Sequence, residues 1–408
     1  MTTLRRLLTA CFLVVSLMLS SPLSVLAQED GTPSVRTDVV YHFGEELTFR
    51  AEIRSDRPIL RATVFYRART SSTTQYAFAT ITDSVPAIAE VHLDLNDADI
   101  PPFSDVDYWW QLDYSETESY STLQESFAYR DNRFAWQFLQ EDDITVYWSE
   151  GDLGYGQAAL DLTRFALEDI ASDLVLPPPE ALTLYLYPSL DGLQEALELG
   201  GQSWVGGHAK PAGGILLVAV PADETAIPSL EQSLPHEITH LLLYSRMGAS
   251  YENLPGWLNE GLAVMQEPSP DPAHAITLNE AIENNSILPL ESLCAVFPYD
   301  SDEAMLAYAQ SHAFVRYLRD LYGIGAIVRL LDSYQEGASC TGAVERVFHR
   351  SLHDLQTDWL NTERGGATGI LSPSEWGAWV LVLIPAVLTM VIVHVRVSIR
   401  RAAQEERV

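Results

Sequence analysis

The sequence predicts an α+β protein built in three successive parts: a β-sandwich, a mixed domain that turns helical, and a single membrane-spanning helix. Three observations predict it. Between residues 39 and 129 apolar side chains recur at every second position, the period of a half-buried strand. From residue 134 strand-like and helix-like runs alternate, and helices then dominate. Residues 376–395 form an apolar run that reaches about 30 Å at ~1.5 Å per residue, the thickness of a bilayer core.

The composition sets outer bounds. A chain of 408 residues holds two domains with real cores, and 47% hydrophobic content with 10% aromatics marks a folded protein. A net charge of −32 excludes nucleic acid as a partner, because phosphates would be repelled. Arg5 and Arg6 precede an apolar run over 7–19, and Val25-Leu26-Ala27 offers a small-residue cleavage site, so residues 1–27 read as a signal peptide, with an uncleaved anchor as the alternative. Leu8-Thr9-Ala10-Cys11 resembles a lipoprotein box only superficially, since almost no apolar segment precedes it.

In the N-terminal domain, residues 28–130, Leu47, Phe49, Ala51 and Ile53 alternate with polar residues, as do Ala62, Val64 and Tyr66, then Val91, Leu93 and Leu95, then Tyr108, Trp110 and Leu112. Short strands at this spacing, separated by turns such as Ser55-Asp56-Arg57-Pro58, suggest a β-sandwich of immunoglobulin or fibronectin type. It carries no catalytic constellation. His42 and His92 are isolated and read as ordinary strand residues.

The second domain spans 134–363. Ile144, Val146 and Trp148 alternate as a strand, 154–174 has helical spacing, Pro177-Pro178-Pro179 breaks it, and 182–187 is a strand. Ser189 caps the next helix. A glycine-rich stretch, 206–214, leads into an apolar strand at 215–220. Cys294 and Cys340, both in an exported domain, suggest a disulfide, with two free buried thiols as the alternative.

A linker over 364–375 leads to the span at 376–395. Trp376 and Trp379 suit the outer interface, and Arg396, Arg400 and Arg401 follow on the far side. The positive-inside rule then places the tail, 396–408, in the cytoplasm and both domains outside a cell membrane crossed once.

The chemistry is carried by His236-Glu237-Ile238-Thr239-His240 and by Glu260, twenty positions further on in Trp257-Leu258-Asn259-Glu260-Gly261. Histidines four apart share one helical face, so both imidazoles reach one metal ion. Glu237 points about a quarter-turn away, and Glu260 supplies a third ligand from a second helix. Three protein ligands leave one position open, which marks a catalytic zinc rather than a structural one. Gly248 offers the first helix an end, and Pro255 suits the first turn of the second. The plain alternative is an amphipathic helix with two surface histidines. Pro235, directly before His236, either opens the helix or kinks it.

These residues resemble the gluzincin metallopeptidases, the group of thermolysin and the M1 aminopeptidases, and most closely the peptidase MA-like domain of exported bacterial proteins. The resemblance covers about residues 134–363. It implies a thermolysin-like fold, a Zn2+ cofactor held by His236, His240 and Glu260, Glu237 as general base, and a peptide or protein substrate. It also implies a Tyr or His donor to the oxyanion downstream of the third ligand. Tyr308 and His312 are four apart, and Tyr308 matches the recurring tyrosine, with a packed core tyrosine as the alternative.

Other residues are read more plainly. Asn259 suits orienting the Glu260 carboxylate. The 215–220 strand suits an exposed sheet edge on which a substrate adds as a strand. His208 reads as a solvated loop residue. His349 and His353 have ligand spacing but no neighbouring Glu, and read as incidental. Together these readings describe a membrane-tethered extracytoplasmic zinc peptidase. The competing class is a catalytically silent adhesion or binding protein on the same scaffold.

Overall fold

The computed structural model describes residues 32–197, 206–295, 297–298 and 300–367. The proposed signal segment at 1–27, and the linker end, membrane span and tail at 368–408, lie outside the described residues. Among those described, no helix is long and apolar enough to cross a membrane. The chain divides into two compact units between Ala135 and Trp136.

The first unit is all β. Its strands are β1 (Ser34–His42), β2 (Glu46–Arg54), β3 (Arg61–Ala68), β4 (Gln75–Phe78), β5 (Thr80–Ile81), β6 (Ala87–Asp94), β7 (Asp105–Asp113), β8 (Ser119–Ser121) and β9 (Glu125–Ala128). They form two antiparallel sheets, one ordered β1-β2-β6-β5 and one β4-β3-β7-β8 with β9 also on β7. The alternation read from the sequence sets the inner faces. Leu47, Phe49, Ala51 and Ile53 are buried on one sheet, and Ala62, Val64, Tyr66, Tyr108, Trp110 and Leu112 on the other. Phe49 of the first sheet meets Tyr66 and Tyr108 of the second at ring distances of 5.5 and 5.3 Å, so the two faces close on one core.

The second unit opens with β10 (Gln137–Glu141) and β11 (Ile144–Trp148), followed by α1 (Leu153–Asp173), β12 (Leu182–Tyr187), α2 (Leu190–Leu197), β13 (Gly207–Lys210) and β14 (Ile215–Ala219). Asp152 accepts from the Tyr155 N–H and caps α1, and the Ser189 hydroxyl accepts from Gly192 at the start of α2. The sheet order is β10-β11-β12-β14-β13, with β11, β12 and β14 parallel and the two outer strands antiparallel to their neighbours. The 215–220 strand is therefore interior, against the reading of it as an exposed edge. The edge on that side is β13, a four-residue strand carrying His208, which is half-buried rather than loop-borne.

Helices complete the unit: α3 (Ala226–Met247), α4 (Gly256–Met265), α5 (Pro272–Asn284), α6 (Ser301–Tyr322), α7 (Ile324–Gln335), α8 (Cys340–Phe348) and α9 (Leu352–Ala367). One continuous core joins the sheet residues Val146, Leu184 and Val218 to Leu160 of α1, Ile238 and Leu242 of α3, and Phe314 of α6. Cys294 and Cys340 form a disulfide, tying the 3₁₀ turn after α5 to the start of α8. His349 caps the end of α8 while His353 lies in α9, so the two do not share a helical face.

Candidate metal centre

Helix α3 runs through the middle of the second unit. Around the motif, Leu234, Pro235 and residues 237–243 are buried, with His236 half-buried. A helix covered on all sides is not a surface amphipathic helix, so the plain reading of the two histidines fails. Pro235 lies inside the helix, which begins earlier at Ala226, so it does not open the helix. Its ring removes one backbone donor and leaves the Glu231 carbonyl without its usual partner one turn on. Gly248 ends the helix with a positive φ of 54°.

Glu260 comes from α4, whose N-cap is Pro255. Gly261 is what lets α4 approach α6. A Cβ there would lie 2.6 Å from the Ser311 carbonyl oxygen and 2.6 Å from Val315 Cγ2. The same close approach brings α6, and with it Tyr308, beside the motif. Asp300 caps α6 by accepting from the Asp302 and Glu303 N–H groups.

Three ligand atoms, one each from His236, His240 and Glu260, lie within 4.8 Å of one another. The Glu260 Oε2 atom is 3.6 Å from His236 Nε2 and 3.5 Å from His240 Nε2. The other ring nitrogens are engaged behind the site. His236 Nδ1 donates to Glu267 Oε1 at 2.8 Å, and His240 Nδ1 donates to Asn259 Oδ1 at 3.0 Å. Those bonds put a proton on each Nδ1 and leave both Nε2 atoms facing Glu260, where a bound metal would take the place of the second ring proton. Two imidazole nitrogens and one carboxylate oxygen converging on one point are a donor set that fits Zn2+.

The electrostatics agree with a site built for a cation. Burial penalises charge on every group, yet the Glu260 carboxyl is held well below its usual range by His240 and His236. Against the same burial, Glu260 and Glu267 push His236 up to about 10, and Glu260 raises His240. Burial pushes the Glu237 carboxyl up, the direction a general base needs.

Beside the ligands lies a cavity of about 390 Å³, walled by His236, Glu237, Glu267, His274 and Tyr308 among others. Tyr308 is half-buried, its ring 6.3 Å from that of His236 and 4.7 Å from that of Phe297. Burial, with Glu260 and Glu237, pushes its hydroxyl up, so it stays protonated and can donate. His312, the other candidate donor, is not in the cavity wall.

Three residues were not singled out from the sequence. Glu267 holds His236. Tyr251 donates to Asn259 Oδ1 at 3.2 Å, completing the support of His240. His274 lines the cavity next to Tyr308, and burial lowers its pKa. Asn259 itself orients His240, not Glu260 as the sequence suggested. His208 has its pKa pushed down to about 4 by burial, with Lys210 and His240 adding to the effect.

Residues 163–364, which include all of these groups, match the family model of the Peptidase MA superfamily. The matched stretch, most of the second unit, is of that superfamily and makes this unit metallopeptidase-like, of the peptidase MA-like gluzincin group. Among solved structures it is similar to an aminopeptidase N family protein from Idiomarina loihiensis, at 8% identity and a TM-score of 0.38, over 80% of this chain and 76% of that one. It is also similar to a structure titled as that of a myokine, at 10% identity and a TM-score of 0.20, over 24% of this chain and 97% of that one. No curated protein matches the chain.

Proposed function

We propose that the chain is a zinc-dependent peptidase, exported and tethered to the outer face of a membrane by residues 376–395. The observation that carries the catalytic reading is the convergence of His236, His240 and Glu260 within 4.8 Å beside the Glu237 carboxylate. His236, His240 and Glu260 would hold the metal, which when bound lowers the pKa of water to about 7 and polarises a carbonyl.

The remaining work falls to side chains and backbone. Glu237 accepts a proton from the attacking water and returns it to the leaving amine nitrogen. The Tyr308 hydroxyl donates to the carbonyl oxygen as negative charge develops on it. Substrate backbone pairs with β13. The Ala219 N–H donates to the Gly206 carbonyl, so by the alternation of an antiparallel ladder the peptide groups of Gly207 and Ala209 face the open edge.

The test is zinc content together with hydrolysis of a broad peptide library by the full chain in detergent. One zinc per chain with cleavage is the expected result, and His236→Ala with His240→Ala removes both. Zinc without cleavage supports the silent binding protein instead. Membrane tethering is tested separately: protease added to intact cells should reach both domains and spare 396–408.

A further inference from the structure

We propose that Gly207 is a positioning residue for the general base: its missing side chain is the space in which the Glu237 carboxylate rests against the edge strand. The proposal depends on Glu237 being the base, as read above. A Cβ at position 207 would lie 2.4 Å from Glu237 Oε1, 3.0 Å from Cδ and 3.1 Å from Cγ. Ordinary contact between such atoms is about 3.5–4 Å, so the carboxylate and any side chain at 207 exclude each other.

Backbone conformation does not explain the glycine. Gly207 is not among the residues with positive φ, so an L side chain fits its backbone. Inside a strand, glycine weakens pairing and packs nothing, and it is expected where another group approaches closely. The approaching group here is the carboxylate. Glu237 is only 8% exposed, so it has little room to swing aside. Its backbone is fixed in α3 between the two histidines. The neighbouring glycine supplies an internal contrast, since a Cβ at Gly206 meets nothing within 4 Å.

The consequence is a direct mechanical link between the base and the strand proposed to carry substrate. Gly207 presents its peptide group to the open edge and its bare Cα to the carboxylate. A methyl group there displaces the carboxylate while leaving all three metal ligands untouched. The defect therefore falls on turnover and not on metal binding.

Two measurements on the zinc-loaded full chain test this. The first is a melting-temperature cycle. Gly207→Ala should lower the melting temperature by about 2–8 °C through overpacking. The same substitution added to Glu237→Ala should cost nothing, because the carboxylate is gone. Gly206→Ala should leave the melting temperature unchanged. An equal penalty in both Glu237 backgrounds, or no penalty in either, overturns the proposal. If Gly207→Ala alone fails to fold, recovery of folding by added Glu237→Ala supports it, and failure of the double variant overturns it.

The second measurement is kinetic. With zinc stoichiometric, Gly207→Ala should lower kcat about a hundredfold or more with KM nearly unchanged, the signature of a lost base rather than lost binding. Adding Gly207→Ala to Glu237→Asp, whose shorter side chain lacks the oxygen that would lie 2.4 Å from a Cβ at 207, should cost less than adding it to the wild type. An unchanged kcat in Gly207→Ala overturns the proposal. If the wild type hydrolyses nothing, the peptidase reading falls by itself, and the melting cycle still decides whether Gly207 makes room for Glu237.

Discussion

Removing the Glu267 side chain should weaken zinc binding without touching a ligand. Glu267 Oε1 accepts from His236 Nδ1 at 2.8 Å, and its other oxygen accepts from Gln232 Nε2 at 2.8 Å. Both partners of the Glu267–His236 bond are largely shielded from water, with side-chain exposures of 12% and 17%. In Glu267→Ala the His236 N–H is left without an acceptor in that setting, which costs about 1–3 kcal/mol. At about 1.4 kcal/mol per tenfold change, zinc affinity falls roughly 5- to 150-fold, in line with the 10- to 100-fold usual for groups behind a metal ligand. Glu267→Gln keeps an oxygen but loses the charge, and a neutral bond is about half as strong, so it should fall between. The assay is competitive zinc titration against a chelating dye at pH 7.5. A Glu267→Ala affinity within about threefold of wild type would show that His236 is oriented without Glu267, and the reasoning would be wrong.

Three further outcomes follow from the same geometry. Tyr308→Phe should lower turnover by about two to three orders of magnitude with little change in KM, as loss of one oxyanion donor does. A normal rate with a lowered melting temperature would make Tyr308 a packing residue. Gly261→Ala should destabilise the second unit by about 1–3 kcal/mol in denaturant unfolding, because its Cβ meets the Ser311 carbonyl oxygen at 2.6 Å. No change in midpoint would mean that α4 and α6 separate freely. In the first unit, burial works against charge on Asp107, but the Ser126 hydroxyl and Arg69 outweigh it and hold its pKa below the usual range. A depressed folded value means that this stabilisation is complete above the unfolded carboxyl value of about 3.9 and is lost as pH falls through the folded value. Stability measured against pH below about 4 should therefore fall less steeply in Asp107→Asn, and identical slopes would contradict the assignment.

The parts of the fold that a sequence displays well are those with a strong period. Leu47, Phe49, Ala51 and Ile53 announce a strand with one buried face, and that is what β2 is. The metal ligands were legible because four residues make one helical turn, so His236 and His240 meet by local geometry alone. Strand β13 was not legible. Gly207-His208-Ala209-Lys210 is short, contains glycine and has no apolar alternation, so the sequence offers β14 as the edge that β13 in fact occupies. Pro235 leaves a helix start or a kink open in the sequence; the helix begins nine residues earlier, at Ala226, because burial around the motif outweighs one missing backbone bond.

Supporting groups behind a ligand leave only weak traces in a sequence. Asn259 precedes Glu260, and adjacency alone points to a role there, whereas the fold turns its amide toward His240. Glu267 lies seven positions after Glu260 but beyond the end of α4 at Met265, so no helical spacing marks it. Tyr251 and His274 reach the site only through tertiary packing, which no spacing encodes.

The central claim is that Glu237 acts as a base beside a metal held by His236, His240 and Glu260. The most direct measurement compares peptide hydrolysis by the wild type and by Glu237→Gln, each carrying one zinc per chain. The account predicts that Glu237→Gln retains its zinc and its melting profile while turnover falls by about two to four orders of magnitude. Equal cleavage by the two proteins at equal zinc content would contradict it.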